Sequence, residues 1–253
     1  MHAHTSPTLH RLSTYVVSFV CLACLADAAW GQAPRQNPRS PRNSAFAQIE
    51  DEPNLPRVLL LGDSISIGYT LAVRAELKGE ANVHRPPENC QSTAFGLERL
   101  DAWLGDKPWD VIHFNFGLHD LKYIDEQRRL VDVAVGKQQV PIDEYRKNLE
   151  AIVERLEKTG ASLIWCSTTP VPENSLGRVK GDAARYNAVA AEIMKKHGIP
   201  IDDLYQFVID EKIPPVRPGN VHFSAESSQK LAKHVADSIR RALAERKAKQ
   251  AAK

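Results

Sequence analysis

The chain has 253 residues, 43% hydrophobic and 25% charged, an ordinary globular composition that excludes a wholly disordered protein. Its 33 lysines and arginines nearly balance 31 aspartates and glutamates, so the net charge of +2 supplies no field for gathering polyphosphates, and nucleic acid is not an expected partner. No run of 18 or more apolar residues occurs after the first 35, which excludes a polytopic membrane protein.

Residues 1–31 place histidines and Arg11 before an apolar stretch at 15–25, followed by the small residues Ala26, Ala28, Ala29 and Gly31. This is the layout of a secretory signal peptide. Cleavage after Ala28 or Gly31 satisfies the small-residue requirement, with Gly31 the expected site, so the mature chain is expected to be exported, periplasmic or secreted, with no membrane span. Two alternatives share this segment. One is an uncleaved anchor, for which the apolar run falls short of the ~20 residues a span needs; the other is a lipid anchor at Cys24, after Leu22 and Ala23. Cys21 and Cys24 form a C-x-x-C inside the removed run, leaving only Cys90 and Cys166. Two cysteines are too few for a disulfide framework and are expected as buried thiols, with a single Cys90–Cys166 bridge as the alternative.

Residues 32–56 carry Pro34, Pro38, Pro41, Pro53 and Pro56 among arginines, asparagines and serines, with almost no apolar period, and read as a disordered linker. From Arg57 short apolar runs alternate with stretches of helical period. The pattern predicts a strand at 58–61, a helix at 66–78, a weaker strand at 82–85, a helix at 93–104 and a strand at 111–116. Beyond these it predicts a helix at 142–158, a strand at 162–166, a helix at 182–197, a short strand at 200–202 and a terminal helix at 224–247, with a basic tail at 248–253. Strands alternating with helices specify an α/β domain with a parallel five-stranded sheet over residues 57–247. Ligands of such sheets bind beyond the carboxyl ends of the strands, so function is expected at 62–69, 86–93, 117–123 and 210–223.

After the first strand there is no G-x-G-x-x-G and no G-x-x-x-x-G-K-[ST], so a nucleotide phosphate cradle is unsupported; no H-E-x-x-H or surviving C-x-x-C offers zinc, and no metal is expected. The strand leads instead into Gly62-Asp63-Ser64-Ile65-Ser66. A serine one step past a buried strand and just before a helix has its hydroxyl at the rim of the sheet beside helix N-terminal amides, where a nucleophile belongs. The competing reading is that Ser64 or Ser66 only caps the helix. A serine nucleophile needs a base on another loop of the same edge, and Asn220-Val221-His222-Phe223-Ser224 supplies one before the last helix. The G-x-S-x-G elbow is not matched, because Ser66 stands at its last glycine.

Gly62-Asp63-Ser64, Gly117-Leu118-His119-Asp120 and Asn220-Val221-His222-Phe223, in this order and spacing, resemble the SGNH or GDSL hydrolase family over residues 57–242. The resemblance implies a three-layer α/β/α, flavodoxin-like fold and a serine esterase that needs no cofactor, acting on small acyl esters, often acetyl groups on carbohydrates. It implies Ser64 as nucleophile and His222 as base, and an oxyanion hole drawn from the Ser64 amide, a backbone amide at Cys90 or Gln91, and His119 at the place of the family's asparagine. The family's D-x-x-H is Gly219-Asn220-Val221-His222 here, so the orienting aspartate is missing. Three outcomes are open: a Ser–His dyad steadied by a backbone carbonyl, a substitute acid such as Asp210 or Glu211, or an inactive fold that binds glycans or a protein. Asp202 and Asp203 read as a strand end and a turn. A phosphodiesterase on the same scaffold would need a metal and activity surviving Ser64→Ala. Phe95, Trp103 and Trp109 read as core rather than a sugar platform. Arg178, Lys180 and Arg185 either meet an anionic substrate group or form a solvated face.

Overall fold

The computed structural model describes residues 44–252; the expected signal peptide with its cleavage sites, Cys21 and Cys24 lie outside the described residues. Among the described residues the elements are, in order, β1 (Arg57–Leu61), α1 (Ser64–Glu76), β2 (Asn82–His84), α2 (Thr93–Leu104), β3 (Val111–Phe114), β4 (Tyr123–Ile124), β5 (Lys137–Gln138), α3 (Ile142–Glu157), β6 (Ser162–Cys166), α4 (Asp182–His197), β7 (Ile201–Asp202), α5 (Leu204–Asp210) and α6 (Ala225–Ala251). The main sheet has the order β2-β1-β3-β6-β7 with every pair parallel, and β4-β5 form a separate antiparallel pair. Helices α1 and α6 pack on one face, and α2, α3 and α4 on the other.

Both faces are therefore covered, which is why β1 is an uninterrupted apolar run from Val58 and β3 is apolar but for His113, rather than alternating. Val58 to Leu61 and Val111, Ile112 and Phe114 are fully buried. The chain steps from β1 outward to β2 and then back across β1 to β3, so the strand order reverses between β1 and β3. The loops leaving these two strands part at that point, which is where sheets of this topology bind their ligands. Gly62–Ser64 and Gly117–Asp120 both lie there.

The strand expected at 111–116 ends at Phe114, and other expectations change with a physical reason. Helix α1 begins at Ser64 rather than at 66, because the Asp63 carboxylate accepts from the Ile65 N–H at 2.9 Å and closes the first turn two residues early. Asp203 does not merely turn the chain: it caps α5, accepting from the Gln206 N–H at 3.1 Å. The tail is helical through Ala251, continuing α6 from its Ser224 cap. Residues 44–56 are not a free linker. Glu52 N–H donates to Asn82 Oδ1 at 2.8 Å, Asn82 Nδ2 donates to the carbonyls of Glu52 and Leu55, and Asp51 bonds His84 at 2.6 Å. Asn82 and His84 belong to the edge strand, so this arm covers polar groups that an edge would otherwise leave open.

Cys90 and Cys166 are both free and buried, so the alternative bridge does not form. Trp103 and Trp109 are buried and donate their indole N–H groups to Glu88 and to the Leu104 carbonyl, and Phe95 is partly buried against the core, so none of the three stands as an exposed sugar platform. Among the described residues no helix is long and apolar enough to cross a membrane.

Candidate active site

The first loop is shaped by close approach. A Cβ on Gly62 would stand 2.7 Å from the Ser66 Cβ, so only glycine lets the chain turn from β1 straight into α1. Buried Arg85 fixes the turn from beneath: its guanidinium donates to Ser66 Oγ at 3.1 Å, Thr70 Oγ1 at 2.9 Å and the Gly62 carbonyl at 3.2 Å. Because Asp63 caps the helix and Ser66 is buried against Arg85, the Ser64 hydroxyl is left for other work. As the first residue of α1, Ser64 also keeps a backbone N–H without an intrahelical acceptor.

The second partner arrives from 158 residues away. His222 Nε2 lies 2.9 Å from Ser64 Oγ, at an exposed position. Its other nitrogen, Nδ1, is 2.8 Å from Asn220 Oδ1, which also accepts from the His222 backbone N–H at 2.8 Å. That backbone group can only donate, so the Asn220 atom it meets is the oxygen, and Nδ1 must carry the ring proton. Nε2 is then the free lone pair, and Ser64 Oγ–H donates to it.

Turn chemistry places Asn220. In Arg217-Pro218-Gly219-Asn220, Asn220 N–H donates to the Arg217 carbonyl at 3.1 Å, with proline and glycine at the two central positions. Gly219 has φ +72°, as a type II turn requires of its third residue. Val216 N–H donates to the His222 carbonyl at 2.7 Å and ties the loop together. The candidate acids lie elsewhere. Asp210 is exposed at the end of α5, accepting from Gln206 Nε2 at 2.7 Å, and Glu211 caps the same helix. Neither they nor a backbone carbonyl holds Nδ1; a carboxamide does. The sequence reading missed Asn220, although the Pro-Gly-Asn turn signal and an Asx side chain two residues before His222 carried the information.

The oxyanion donors divide in the same way. The Cys90 N–H donates to the Gly62 carbonyl at 3.3 Å and the Gln91 N–H to Asn89 Oδ1 at 2.9 Å, so both amides expected from the second block already have acceptors, one across to the Ser64 loop and one within its own loop. The Cys90 thiol is buried and pushed up to about 12. His119 differs. Burial first, then the charges of Lys122, Arg178 and His222, push its imidazolium down to about 3. Lys122 Nζ donates to His119 Nδ1 at 3.3 Å, so the ring is neutral and its single N–H is on Nε2.

Asp120 anchors this loop. Its Oδ1 accepts from Thr93 N–H at 2.8 Å and Thr93 Oγ1 at 2.5 Å. Complete burial outweighs these bonds and pushes the carboxyl up to about 7. An unfolded aspartate titrates near ~3.9, so between these values the native state holds a proton that the unfolded state has lost. This group's contribution to stability is full below ~4 and disappears as pH rises through about 7. Replacing it by Asn should flatten the fall of the urea midpoint between these pH values; an equally steep fall in Asp120→Asn would assign the effect to another group.

Among the described residues, the cluster that could hold a metal is His113, Cys166 and Asp202, whose ligand atoms lie within 4.8 Å of one another in the core. The carboxylate is already shared between two imidazoles, His113 Nε2 at 2.8 Å and His234 Nε2 at 2.9 Å. Burial would raise its pKa, but these two bonds hold Asp202 below the usual carboxylate range. The cluster lies in the core and includes neither Ser64 nor His222.

The family model of the GDSL-like lipase/acylhydrolase family matches residues 60–230. Solved structures with a similar fold include an acetyl xylan esterase (15% identity, TM-score 0.59, covering 72% of this chain and 99% of its own). The lipase/acylhydrolase from Enterococcus faecalis is 20% identical with TM-score 0.58, covering 73% of this chain and 95% of its own. A catalytic mutant of an acetylxylan esterase from Geobacillus stearothermophilus is 16% identical with TM-score 0.59, covering 73% and 94%. Comparison with curated proteins gives no match.

Proposed function

Because the chain belongs to the GDSL-like lipase/acylhydrolase family and is an ester hydrolase, we propose that it is an exported serine esterase that removes small acyl groups, acetyl above all, from carbohydrates, with Ser64 as nucleophile and His222 as base. The observation that carries this reading is the run Ser64 Oγ to His222 Nε2 at 2.9 Å and His222 Nδ1 to Asn220 Oδ1 at 2.8 Å. An inactive binding fold would have no reason to keep Ser64 and His222 in contact. Export is supported by the leader-like residues 1–31, and the acetyl carbohydrate by the acetylxylan esterases among proteins of similar fold.

Ser64 Oγ forms a bond to the ester carbonyl carbon while its proton passes to His222 Nε2. The imidazolium so formed keeps its Nδ1–H on the Asn220 oxygen. The negative charge collects on the former carbonyl oxygen, for which the Ser64 amide and His119 Nε2–H are the donors. His222 then returns the proton to the alcohol oxygen as the C–O bond breaks, leaving an acyl-serine. Water attacks this intermediate with the same base, and the carboxylic acid departs. Proton transfer of this kind contributes ~10²- to 10⁴-fold. An amide oxygen that orients the imidazole without a charge is the arrangement of Cys–His–Asn proteases, here with a serine as the nucleophile.

His119 gives the first quantitative check. His119→Ala should lower kcat by ~10²- to 10³-fold, the usual cost of one oxyanion donor. KM should change little, since the donor meets the charge only as it develops. His119→Asn, which returns a side-chain N–H donor, should recover part of the loss; full activity in His119→Ala would remove His119 from the mechanism. The reading as a whole is tested by hydrolysis of 4-nitrophenyl acetate and of acetylated xylo-oligosaccharides by the purified protein. Acetate release from the oligosaccharide supports the substrate class, whereas turnover of the chromogenic ester alone supports only the esterase, and no turnover of either refutes the proposal.

A further inference from the structure

Of the three cations just after the loop at 170–177, two are neutralised at the surface. Lys180 pairs with Glu173, and Arg185 pairs with Asp182 at 2.8 Å. Arg178 turns the other way. Its Nε donates to the Leu118 carbonyl at 3.3 Å, one residue before His119, and its charge is felt by His119, Lys122 and Asp63. Among the described residues neither Arg178 nor Lys122 makes an ion pair: Arg178 bonds a carbonyl and Lys122 bonds His119. Both are partly buried. Two partly desolvated cations beside each other are costly unless an anion completes them.

The nearest acids, Asp63 for Arg178 and Asp120 with Asp63 for Lys122, offset part of that charge, but among the described residues none forms an ion pair with either cation. Asp63 is buried and gives one oxygen to the Ile65 N–H, and Asp120 is turned toward Thr93 with its carboxyl pushed up to about 7. Burial also presses on the two cations themselves, lowering Arg178 and Lys122 below their ordinary values. Nor are they free to swing away. Tyr123 N–H donates to the Gly177 carbonyl at 2.7 Å and Arg178 N–H to the Ser175 carbonyl at 3.2 Å. On its other side the same loop meets the His222 loop, where a Cβ on Gly219 would be 2.8 Å from the Asn174 carbonyl oxygen. Arg178 is thus held between the loop that presents His119 and the loop that presents His222, with the end of its guanidinium fork uncommitted.

We propose that Arg178 and Lys122 form an anion subsite beside Ser64, so that the natural ester carries a carboxylate or phosphate group close to the bond that is cut. This rests on the reading of Ser64 as nucleophile and narrows the carbohydrate to an acidic one, such as an acetylated uronic acid or sugar phosphate. A planar guanidinium with two free N–H directions matches either oxyanion in a bidentate manner, and Lys122 adds a point charge. The subsite contributes binding and positioning; the bonds made and broken remain those of ester hydrolysis.

The test compares kcat/KM of the full chain on acetylated glucuronic acid, acetylated glucose 6-phosphate and acetylated glucose. The native protein should favour at least one anionic ester over the neutral one by about tenfold or more, the worth of a charge-assisted pair. Arg178→Gln and, separately, Lys122→Gln should cut that ratio, and Arg178→Lys should keep part of it. The anionic ester that is preferred identifies the source of the charge. Equal use of all three esters by the native protein, or an unchanged ratio in both glutamine variants, overturns the proposal. Should no ester be turned over, the catalytic reading fails separately, and calorimetric titration with glucuronate and with inorganic phosphate decides the subsite. Binding that weakens in Arg178→Gln, with an unaltered circular dichroism spectrum, upholds it; no binding of either anion removes it.

Discussion

Ser64→Ala, His222→Ala and the double variant should all fall to the same residual esterase rate, at least ~10⁴-fold below the parent in kcat. The expectation comes from the single contact between Ser64 Oγ and His222 Nε2 at 2.9 Å. Without the imidazole the hydroxyl keeps its proton and is a poor nucleophile, and without the hydroxyl the imidazole has no acceptor of acyl groups to activate. Groups that act as one unit lose their effect together, so the second deletion should add almost nothing to the first. Both side chains are solvent-accessible and neither fills the core, so folding should survive, as a thermal melt would show. A single variant retaining more than ~1% of the parental kcat would rule out the pair as the catalytic unit.

The second large effect concerns the group behind the histidine. Asn220→Ala should cost ~10²- to 10⁴-fold in kcat with KM nearly unchanged, because the loss is of the tautomer and ring orientation rather than of substrate contacts. The upper bound is what a missing charged acid costs; Asn220 is neutral, so the lower half of the range is expected. Asn220→Asp should remain active, since its oxygen can accept from the same Nδ1–H and its charge would favour the imidazolium formed during the reaction. Moving the acid to the family's position should fail. Gly219 has φ +72°, and a Cβ there would stand 2.8 Å from the Asn174 carbonyl oxygen, so Gly219→Asp should unfold at lower temperature and gain no activity. If Gly219→Asp proved more active than the parent, the assignment of Asn220 would be wrong.

Much of this site was visible in the sequence because it rests on short-range rules. A fully apolar run leading into Gly-Asp-Ser places a serine at the end of a buried strand, whatever the rest of the chain does. His222 was legible in the same way, as a polar residue between a proline-rich loop and a helix cap. The second-block donors were less legible. Whether the Cys90 and Gln91 amides face a substrate or acceptors of the protein depends on φ at Gln91, which is +52°, and on a carbonyl of Gly62 that is distant in sequence. Which of the three open outcomes would hold His222 was not legible: Asp210 and Glu211 are close to it in sequence, but Asp210 ends α5, accepting from Gln206, and Glu211 caps that helix.

By itself, then, the sequence determined the alternation of strands and helices, the parallel sheet between two helical layers, and the loops in which chemistry could reside. These arise from local periodicity, capping and turn residues, which act within a few positions. Tertiary structure alone decided that Asn220 rather than a carboxylate holds His222, that the arm at 44–56 covers the sheet edge, and that Arg178 turns inward while Lys180 and Arg185 do not. Each of these depends on which groups from distant parts of the chain meet. A hydrogen bond or ion pair changes in strength with ångström distances and burial, which no local pattern encodes.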